Sequence, residues 1–341
     1  MEYVEPSFIF NNNFPIVDVR TSAEYSQGHI PRAINVPIFT NEERAIIGTI
    51  YKNANPEAAK LEGLNFVGPK MQTIAKLLMK IALNKTLIIH CWRGGLRSAS
   101  IAWLADFIGL KTYIIRGGYK AYRSYIRMDW FNFKNIYVLG GLTGVGKTDI
   151  LNILSSKGVQ FLDLESFASH KGSAFGAIGM NPQPTNEQFE NSLFEKIKTF
   201  NPNQPIWVEN ESQTIGSVRI PEEFFKNIKT GILIHLEASL EFRKQRLVNE
   251  YSNCGREPLV TAVKNIAQQL GGLNTKTCLE ALENDDYLLV VELCLQYYDK
   301  AYLHSVNKAS FKSSFKIQVD NTSSENHANM ILDFVSKNKI N

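Results

Sequence analysis

Residues 135–148 read NIYVLGGLTGVGKT, a short apolar run followed by a glycine-rich loop and a Lys-Thr pair. The run predicts a buried strand, and Thr148 to Lys157 predicts the helix that follows it. The G-x-x-x-x-G-K-T spacing between a strand and a helix is typical of a phosphate-binding loop. Its backbone N–H groups cradle a diphosphate, Lys147 supplies positive charge, and the Thr148 hydroxyl is placed to bind Mg²⁺. The predicted phosphate-binding residues are Gly141, Thr143, Gly144, Gly146, Lys147 and Thr148, with Thr148 also the metal ligand.

The residues after this loop continue a pattern of alternating strands and helices. The further predicted strands are Val159 to Leu164, Pro205 to Glu209, Gly231 to Glu237 and Phe315 to Asp320. Helical periodicity runs from about 258 to 306, and the tail after Lys337 is expected to fray. We therefore predict that residues 131–341 form a P-loop NTPase-like α/β domain with a helical C-terminal part.

The residues before the loop show the same alternation. The predicted strands are Phe14 to Arg20, Thr86 to His90 and Lys111 to Ile115, and Ser98 to Gly109 predicts a helix. A chain of 341 residues is long enough for two cores. Residues 1–130 are therefore predicted to form a separate α/β domain.

A cysteine follows the second of these strands, in the run HCWRGGLRS over residues 90–98. A thiol between a strand end and a helix start lies where backbone N–H groups and the positive end of the helix dipole converge. Arg93 and Arg97 add positive charge, which favours the thiolate, and the two glycines let the loop curl around an anion. We predict Cys91, Arg93 and Arg97 as catalytic residues.

This loop belongs to a larger set of matching motifs. Together with Asp18-Val19-Arg20, Glu24, Gly28 to Pro31 and Ala33 to Pro37, it resembles the rhodanese domain over about the first 130 residues. The resemblance implies that Cys91 carries sulfur or selenium as a persulfide or perselenide. The spacing from Cys91 to Arg97 is C-x5-R, whereas many single-domain rhodaneses have C-x4-R. Because the longer loop also occurs in rhodanese-like phosphatases and arsenate reductases, phosphatase activity remains an alternative for this domain alone.

Four carboxylates lie at or near the ends of predicted strands in the second domain: Asp163, Glu165, Glu209 and Glu237. Each is a candidate to hold Mg²⁺ or water, or only to cap the next helix. Asp163 and Glu209 are the favoured pair. Glu211, in the run Val208 to Ser212, is a further candidate for Mg²⁺ or substrate.

Polar residues near the phosphate loop are candidates for binding substrate. The Gly-rich run 170–176 offers His170, Lys171 and Ser173, and it is either a substrate loop or a plain surface loop. Arg243 and Arg246 lie three apart on one predicted helix face. They either clamp phosphate or a nucleic-acid backbone, or are simply solvated.

Taken together, these motifs span about nine tenths of the chain. The rhodanese-like half, Arg116 to Lys120, Gly140 to Thr148, Leu162 to Gly176, Val208 to Ser212 and Leu270 to Gly272 resemble the tRNA 2-selenouridine synthase family. The resemblance implies a tRNA substrate whose wobble 2-thiouridine is first S-geranylated from geranyl diphosphate. Selenium from selenophosphate, with the selenophosphate synthetase as its source, then displaces the geranyl-sulfur group. Phe167, Phe175, Ile178 and Met180 are candidates to line a geranyl pocket or simply to pack in the core.

Two other functions stay open. One is a bifunctional sulfurtransferase–kinase that acts on a small molecule, which predicts ATP turnover and no affinity for tRNA. The other is a regulatory rhodanese-like phosphatase with a nucleotide switch.

Composition excludes several classes of protein. The chain is 44% hydrophobic and 21% charged, and no apolar run approaches the roughly 18 residues that span a bilayer. Its start lacks the pattern of a signal peptide, and its four cysteines form no C-x-x-C pair. We expect a cytoplasmic enzyme with no membrane partner, which uses Mg²⁺ and no organic cofactor. The net charge of +4 permits a nucleic-acid partner without arguing for one.

Overall fold

The computed structural model describes residues 1–128 and 135–338. The chain divides into two compact units, Met1–Trp130 and Phe131–Asn341. The predicted boundary between residues 130 and 131 lies outside the described residues, as does the tail from 339 to 341. Among the described residues, no helix combines the length and the apolar character needed to cross a bilayer.

The first unit is a five-stranded parallel sheet with helices. Its strands are β1 (Glu2–Val4), β2 (Ile16–Asp18), β3 (Ile34–Asn35), β4 (Thr86–His90) and β5 (Lys111–Ile115), in the order β1-β5-β4-β2-β3. Its helices are α1 (Ser22–Gln27), α2 (Asn41–Asn53), α3 (Pro56–Val67), α4 (Met71–Ile81), α5 (Leu96–Phe107) and α6 (Gly118–Met128). Short 3-10 helices cover Pro6–Phe10 and Gly68–Lys70. Every residue of β4 is buried, as its unbroken apolar run predicts for a central parallel strand.

The second unit is also built on a five-stranded parallel sheet. Its strands are β6 (Ile136–Gly141), β7 (Gln160–Phe161), β8 (Ile206–Glu209), β11 (Ile232–Glu237) and β12 (Ser313–Gln318), in the order β12-β11-β6-β8-β7. A separate hairpin pairs β9 (Thr214–Ile215) with β10 (Val218–Arg219). Its helices are α7 (Lys147–Ser156), α8 (Leu164–Ala168), α9 (Asn186–Lys198), α10 (Glu222–Lys229), α11 (Leu240–Tyr251), α12 (Arg256–Asn265), α13 (Ala267–Leu270), α14 (Gly272–Glu283), α15 (Tyr287–Lys308) and α16 (Ser324–Lys337).

The predicted architecture is confirmed: one parallel α/β unit is followed by a second parallel α/β unit with a helical C-terminal part. Two predicted strands were too long. Of the run 14–20, only Ile16–Asp18 is a strand. Only Gln160–Phe161 of the run 159–164 is a strand, because the Asp163 side chain accepts a hydrogen bond from Ser166 N and caps α8. The helical segment predicted over 258–306 consists of α12, α13, α14 and α15.

The sheet order of the second unit determines where its functional residues meet. Strand β6 is central, and β8 and β7 follow it on one side. Because the three strands are parallel, the loops after their carboxyl ends open at the same edge of the sheet, where open α/β sheets bind ligands. The phosphate loop, Glu209 and the residues after Phe161 therefore come together.

Candidate functional site

The cysteine loop of the first unit leaves the centre of its sheet. Cys91 comes directly after β4 and is 3% exposed, with Sγ 3.3 Å from Ser98 Oγ. Ser98 Oγ also donates to Gly95 O at 2.9 Å, which ties the first turn of α5 to the loop. The sulfur thus lies at the start of a helix, where the partial charge of the backbone favours an anion.

The start of α6 braces this loop. Tyr119 N donates to Cys91 O, and Lys120 N donates to Trp92 O, each at 2.9 Å. A Cβ added at Gly118, whose φ is +61°, would lie 2.3 Å from Cys91 O and 2.5 Å from Gly94 N. Glycine is required at 118, because both the close approach and the left-handed backbone exclude a side chain.

A buried ion pair lies beneath the loop. The Arg20 guanidinium donates to both oxygens of Asp18, at 2.6 Å for the shortest contact, and to Gly28 O at 2.7 Å. It also lies 3.9 Å from the ring centroid of Tyr119. Burial acts to raise the pKa of Asp18, but His90 and Arg20 outweigh it and hold the pKa below its usual value. Asp18 and Arg20 are structural supports of the loop.

The two predicted catalytic arginines occupy different environments. Arg97 forms a two-pronged pair with Glu24, at 2.7 and 3.2 Å, so a carboxylate already compensates its charge. Glu24 in turn closes the capping box of α1 with Thr21. Arg93 is exposed. Arg93 belongs to the cysteine loop, and Arg97 lies in the first turn of α5. Their catalytic role stays a prediction.

The phosphate loop follows β6 as predicted. Gly141, Gly144 and Gly146 have φ of +143°, +88° and +85°, and Gly146 is the N-terminal cap of α7. Positive φ at these glycines gives the backbone the freedom that a phosphate-binding loop needs to present its N–H groups to an anion. Lys147 Nζ donates to Gly141 O at 3.2 Å, so the lysine reaches back over the loop.

A tyrosine that sequence analysis missed supports the start of the loop. The Tyr302 hydroxyl, on α15, accepts a 2.6 Å hydrogen bond from Gly141 N and lies 3.2 Å from His235 Nδ1. Tyr302 is 161 residues from Gly141 in the chain, and nothing in its helical surroundings marks it. Asp299, one turn earlier on the same helix, was missed for the same reason.

Three carboxylates converge beside the loop. One ligand oxygen from each of Glu165, Glu209 and Glu211 lies within 4.8 Å of the others. Glu209 is 2% exposed, and its Oε1 has no hydrogen-bond partner. Of the favoured pair, Glu209 lies in this cluster, whereas the Asp163 side chain caps α8. Glu237 instead pairs with Lys316 at 2.7 Å.

Burial is the main cause of the raised pKa values of these three carboxyl groups, and repulsion between neighbouring carboxylates adds to it for Glu165 and Glu209. Burial, followed by the charges of Glu209 and Glu211, raises the pKa of Glu165 to about 9. Burial also raises the pKa of Glu209 to about 7, although Lys147 and a hydrogen bond from Thr148 oppose the shift. An unpartnered buried oxygen among three carboxylates fits a hard divalent cation, whose charge would offset the repulsion. Thr148, Glu165, Glu209 and Glu211 are the residues that fit Mg²⁺.

The predicted arginine pair of α11 divides into two roles. Arg243 is 4% exposed, pairs with both oxygens of Asp299 at 2.9 and 2.8 Å, and donates to Thr143 O at 3.2 Å. It therefore holds the phosphate loop and is not a solvated clamp. Arg246 pairs with Asp149, and its guanidinium carbon is 3.2 Å from where a Cβ on Gly146 would be. Of the two, only Arg246 remains a candidate to contact phosphate.

The polar run 170–176 forms a loop that approaches the carboxylate cluster at Glu211. His170 Nδ1 accepts from Gly172 N at 3.2 Å, and Lys171 pairs with Glu250 of α11 at 2.6 Å. A Cβ on Gly172 would lie 2.5 Å from Glu211 Oε2. His170 and Lys171 thus hold the loop in place, and Ser173 lines a cavity beside the phosphate loop.

The chain was also compared with known proteins. A family model described as "tRNA 2-selenouridine synthase AAA domain" matches residues 134–330, and one described as "Rhodanese-like domain" matches residues 8–125. The tRNA 2-selenouridine synthase of Nitrosomonas europaea is 30% identical over 361 residues, which cover 90% of this chain and 93% of the relative. That of Hydrogenovibrio crunogenus is 33% identical over 345 residues, with the same coverage. A rhodanese-like domain protein from Staphylococcus aureus is 23% identical, with a TM-score of 0.21, and covers 36% of this chain and 91% of its own.

Proposed function

The chain belongs to the tRNA 2-selenouridine synthase family, and we propose that it makes 2-selenouridine in two steps, prenylation of a tRNA 2-thiouridine and then selenium transfer. Geranyl diphosphate is the proposed prenyl donor. Selenophosphate, supplied by its synthetase, is the proposed selenium donor. The wobble uridine of a tRNA is the proposed acceptor.

The first step makes the sulfur a better leaving group. The thiocarbonyl sulfur attacks the first carbon of the geranyl chain, so a C–S bond forms and the C–O bond to the diphosphate breaks. The diphosphate leaves with the bonding electrons, and the base loses its ring N–H proton. The backbone N–H groups of the phosphate loop and Lys147 stabilise the charge of the departing diphosphate. Mg²⁺, for which Thr148, Glu165, Glu209 and Glu211 are the proposed ligands, supplies further charge neutralisation there.

The second step exchanges sulfur for selenium without a net change of oxidation state. Selenium enters in the oxidation state of selenide. A C–Se bond forms at the carbon that bears the S-geranyl group, and the C–S bond to that carbon breaks to release geranyl thiol. Water cleaves the P–Se bond and yields phosphate and selenide, and this selenide is the species that attacks the carbon bearing the S-geranyl group. We assign delivery of selenium to the Cys91 loop, because its sulfur lies at a helix start inside a loop shaped for an anion.

The single observation that carries the proposal is the presence of both sites, each with its supporting contacts, in one chain of this family. The cysteine loop is braced by Gly118, and the phosphate loop is braced by Tyr302 and Arg243. Neither site alone explains the synthesis, because one lacks a place for a diphosphate and the other lacks the cysteine loop to which selenium delivery is assigned.

The experiment is mass spectrometry of nucleosides from 2-thiouridine-containing tRNA, sampled over time with protein, geranyl diphosphate and selenophosphate. S-geranyl-2-thiouridine should rise and then fall as 2-selenouridine accumulates. Omission of selenophosphate should stop the reaction at the geranylated nucleoside. Formation of 2-selenouridine at full rate without geranyl diphosphate would refute the two-step proposal.

A further inference from the structure

A cavity of about 40 Å³, which opens to solvent, lies beside the phosphate loop within the second unit. Thr143 of the loop forms part of its wall, and most of the remaining wall is aliphatic or aromatic. We infer that this cavity binds the hydrocarbon tail of a prenyl diphosphate whose head group lies on the phosphate loop. The inference rests on the proposed function and adds to it the place and the length selectivity of tail binding.

The cavity is not a gap left by ordinary packing. Protein interiors are close-packed, and voids larger than a water molecule are few. Here two separate clusters of buried residues face each other, one around Phe175 and Leu259 and the other formed by Leu247, Val291 and Leu295. Residues of both clusters line the space between them.

Helix α15 joins the cavity to the phosphate loop. Its C-terminal half carries Tyr302, which bonds Gly141 N, and Asp299, which holds Arg243 against Thr143 O. Its N-terminal half carries Val291 and Leu295, which line the cavity. Eleven residues separate Val291 from Tyr302, or about 16 Å along a helix that rises 1.5 Å per residue. If the diphosphate of the ligand binds at the phosphate loop, its hydrocarbon tail reaches the cavity by lying alongside α15.

Helix α11 makes the two sites contiguous. Leu247 lines the cavity, and its Cδ1 is 3.1 Å from where a Cβ on Gly144 of the phosphate loop would be. Tyr251, one turn later on the same helix face, lines the cavity too. The loop and the cavity wall are thus in direct contact, with no intervening layer of side chains.

The polar loop 170–176 closes the other side. Gly172 approaches the Glu211 carboxylate, while Ser173 and Phe175 line the cavity. One loop therefore borders both the carboxylate cluster and the apolar space. Of the four apolar residues suggested by the sequence, Phe175 lines the cavity and Ile178 packs in the adjoining cluster.

The chemistry of the wall selects its occupant. Transfer of sugar hydroxyls or a base edge into a mostly apolar wall leaves polar groups unpaired, which is unfavourable. A branched hydrocarbon loses no hydrogen bonds there and gains from each buried carbon. The combination of a phosphate loop and an adjoining apolar cavity fits an isoprenoid diphosphate better than a nucleotide.

The test measures the affinity of the full-length protein, with Mg²⁺, for inorganic diphosphate and for dimethylallyl, geranyl and farnesyl diphosphates by calorimetry. The wild-type protein should bind geranyl diphosphate on the order of 100- to 1,000-fold more tightly than dimethylallyl diphosphate, since five more carbons are buried. Val291→Trp fills the cavity and should reduce this ratio below about tenfold, with affinity for inorganic diphosphate unchanged. Leu288→Trp, at a 43% exposed position of the same helix, should keep the wild-type ratio.

The outcomes separate the cavity from the proposed function. If wild-type protein binds geranyl diphosphate no more tightly than inorganic diphosphate, both the prenyl donor and the cavity assignment fail. Suppose that the wild-type protein binds geranyl diphosphate more tightly than dimethylallyl diphosphate. If the folded Val291→Trp variant then keeps the wild-type ratio of these two affinities, only the cavity assignment fails. Should Val291→Trp not fold, Val291→Ala decides, because a wider cavity should favour farnesyl over geranyl diphosphate at least about fivefold more than wild type does. An unchanged preference in that variant would overturn the inference.

Discussion

A single buried glutamate oxygen is the most informative atom of the second unit. Glu209 Oε1 has no hydrogen-bond partner, although the side chain is 2% exposed and two further carboxylates lie nearby. Buried polar atoms are normally paired, and an unpaired one calls for an explanation. A divalent cation provides one, since it would satisfy the oxygen and offset the repulsion among the three carboxylates.

Glu209→Gln should stabilise the protein without Mg²⁺ and weaken Mg²⁺-dependent binding of diphosphate. Burial raises the pKa of Glu209 to about 7 from its ordinary 4.5. Between these values the folded state holds a proton that the unfolded state has released, so stability falls as pH rises through this window. At pH 8 the variant should be more stable by on the order of 1–3 kcal/mol in denaturant unfolding. Glu237→Gln is the control, because that carboxylate is paired at the end of β11. Equal Mg²⁺ dependence in Glu209→Gln and wild type would exclude Glu209 as a ligand.

Cys91→Ser should separate the two reaction steps. A serine oxygen does not replace the sulfur of Cys91 in selenium transfer. Mass spectrometry of nucleosides should therefore show S-geranyl-2-thiouridine accumulating and 2-selenouridine absent. Cys254→Ser, in the second unit, serves as the matched control. A normal yield of 2-selenouridine from Cys91→Ser would remove Cys91 from the mechanism.

At the level of elements, loops are positioned by helices far away in the chain. The start of α6 braces the cysteine loop, and α11 with α15 braces the phosphate loop. These hydrogen bonds fix the positions of the two loops against the helices that pack beside them. Their loss should therefore alter stability and chemistry together.

Gly118→Ala should destabilise the first unit. The added Cβ meets backbone atoms of Cys91 and Gly94 that have no room to move, and the residue has positive φ. We expect a loss of at least about 2 kcal/mol in the free energy of unfolding, measured by urea denaturation. Gly68→Ala is the control, since Gly68 has helical angles and open space around it. Similar stabilities for the two variants would contradict the bracing role of α6.

Lys147→Ala should weaken prenylation strongly. The diphosphate loses a charge-assisted contact worth on the order of 2–3 kcal/mol, or about 30- to 150-fold in affinity. The conversion of tRNA that is already geranylated should continue. Lys157→Ala, just after α7 and paired with Glu325, is the control. If both steps stop in Lys147→Ala, the phosphate loop also organises the tRNA or the selenium donor.

The sequence predicted elements well where a local pattern determines them. β4 and β5 have the predicted bounds because their apolar runs are buried throughout, and the phosphate loop was recognised from its spacing. The sequence did not predict partners that are distant in the chain. Arg97 is paired with Glu24, 73 residues away, and Arg243 with Asp299, 56 residues away. Such pairs follow from tertiary packing and leave no signal in spacing. The same holds for Tyr302 and for the cavity wall.

For the whole molecule, the proposed chemistry requires a phosphate loop that binds a diphosphate without hydrolysing a nucleotide. Nucleotide hydrolysis needs a positioned water and charge stabilisation around the terminal phosphoryl group. In the proposed reaction the bond that breaks is C–O, and no attack at phosphorus occurs. The adjoining apolar cavity agrees with a hydrocarbon substrate.

The protein should accordingly be a poor ATPase. Phosphate release from ATP should stay near background with or without tRNA, while geranyl diphosphate is consumed when tRNA is present. A coupled phosphate-release assay, with geranyl diphosphate consumption measured in parallel, provides the comparison. Robust tRNA-stimulated hydrolysis of ATP would instead favour a kinase or an ATP-activating enzyme.

The central claim is that the geranylated nucleoside is the species that selenium attacks. The most direct measurement starts from tRNA geranylated by the protein, freed of geranyl diphosphate, mixed with an equal amount of 2-thiouridine tRNA and treated with fresh protein and selenophosphate. Mass spectrometry of the nucleosides should show S-geranyl-2-thiouridine converted to 2-selenouridine while 2-thiouridine is unchanged. Conversion of 2-thiouridine, with the geranylated nucleoside left intact, would contradict the account.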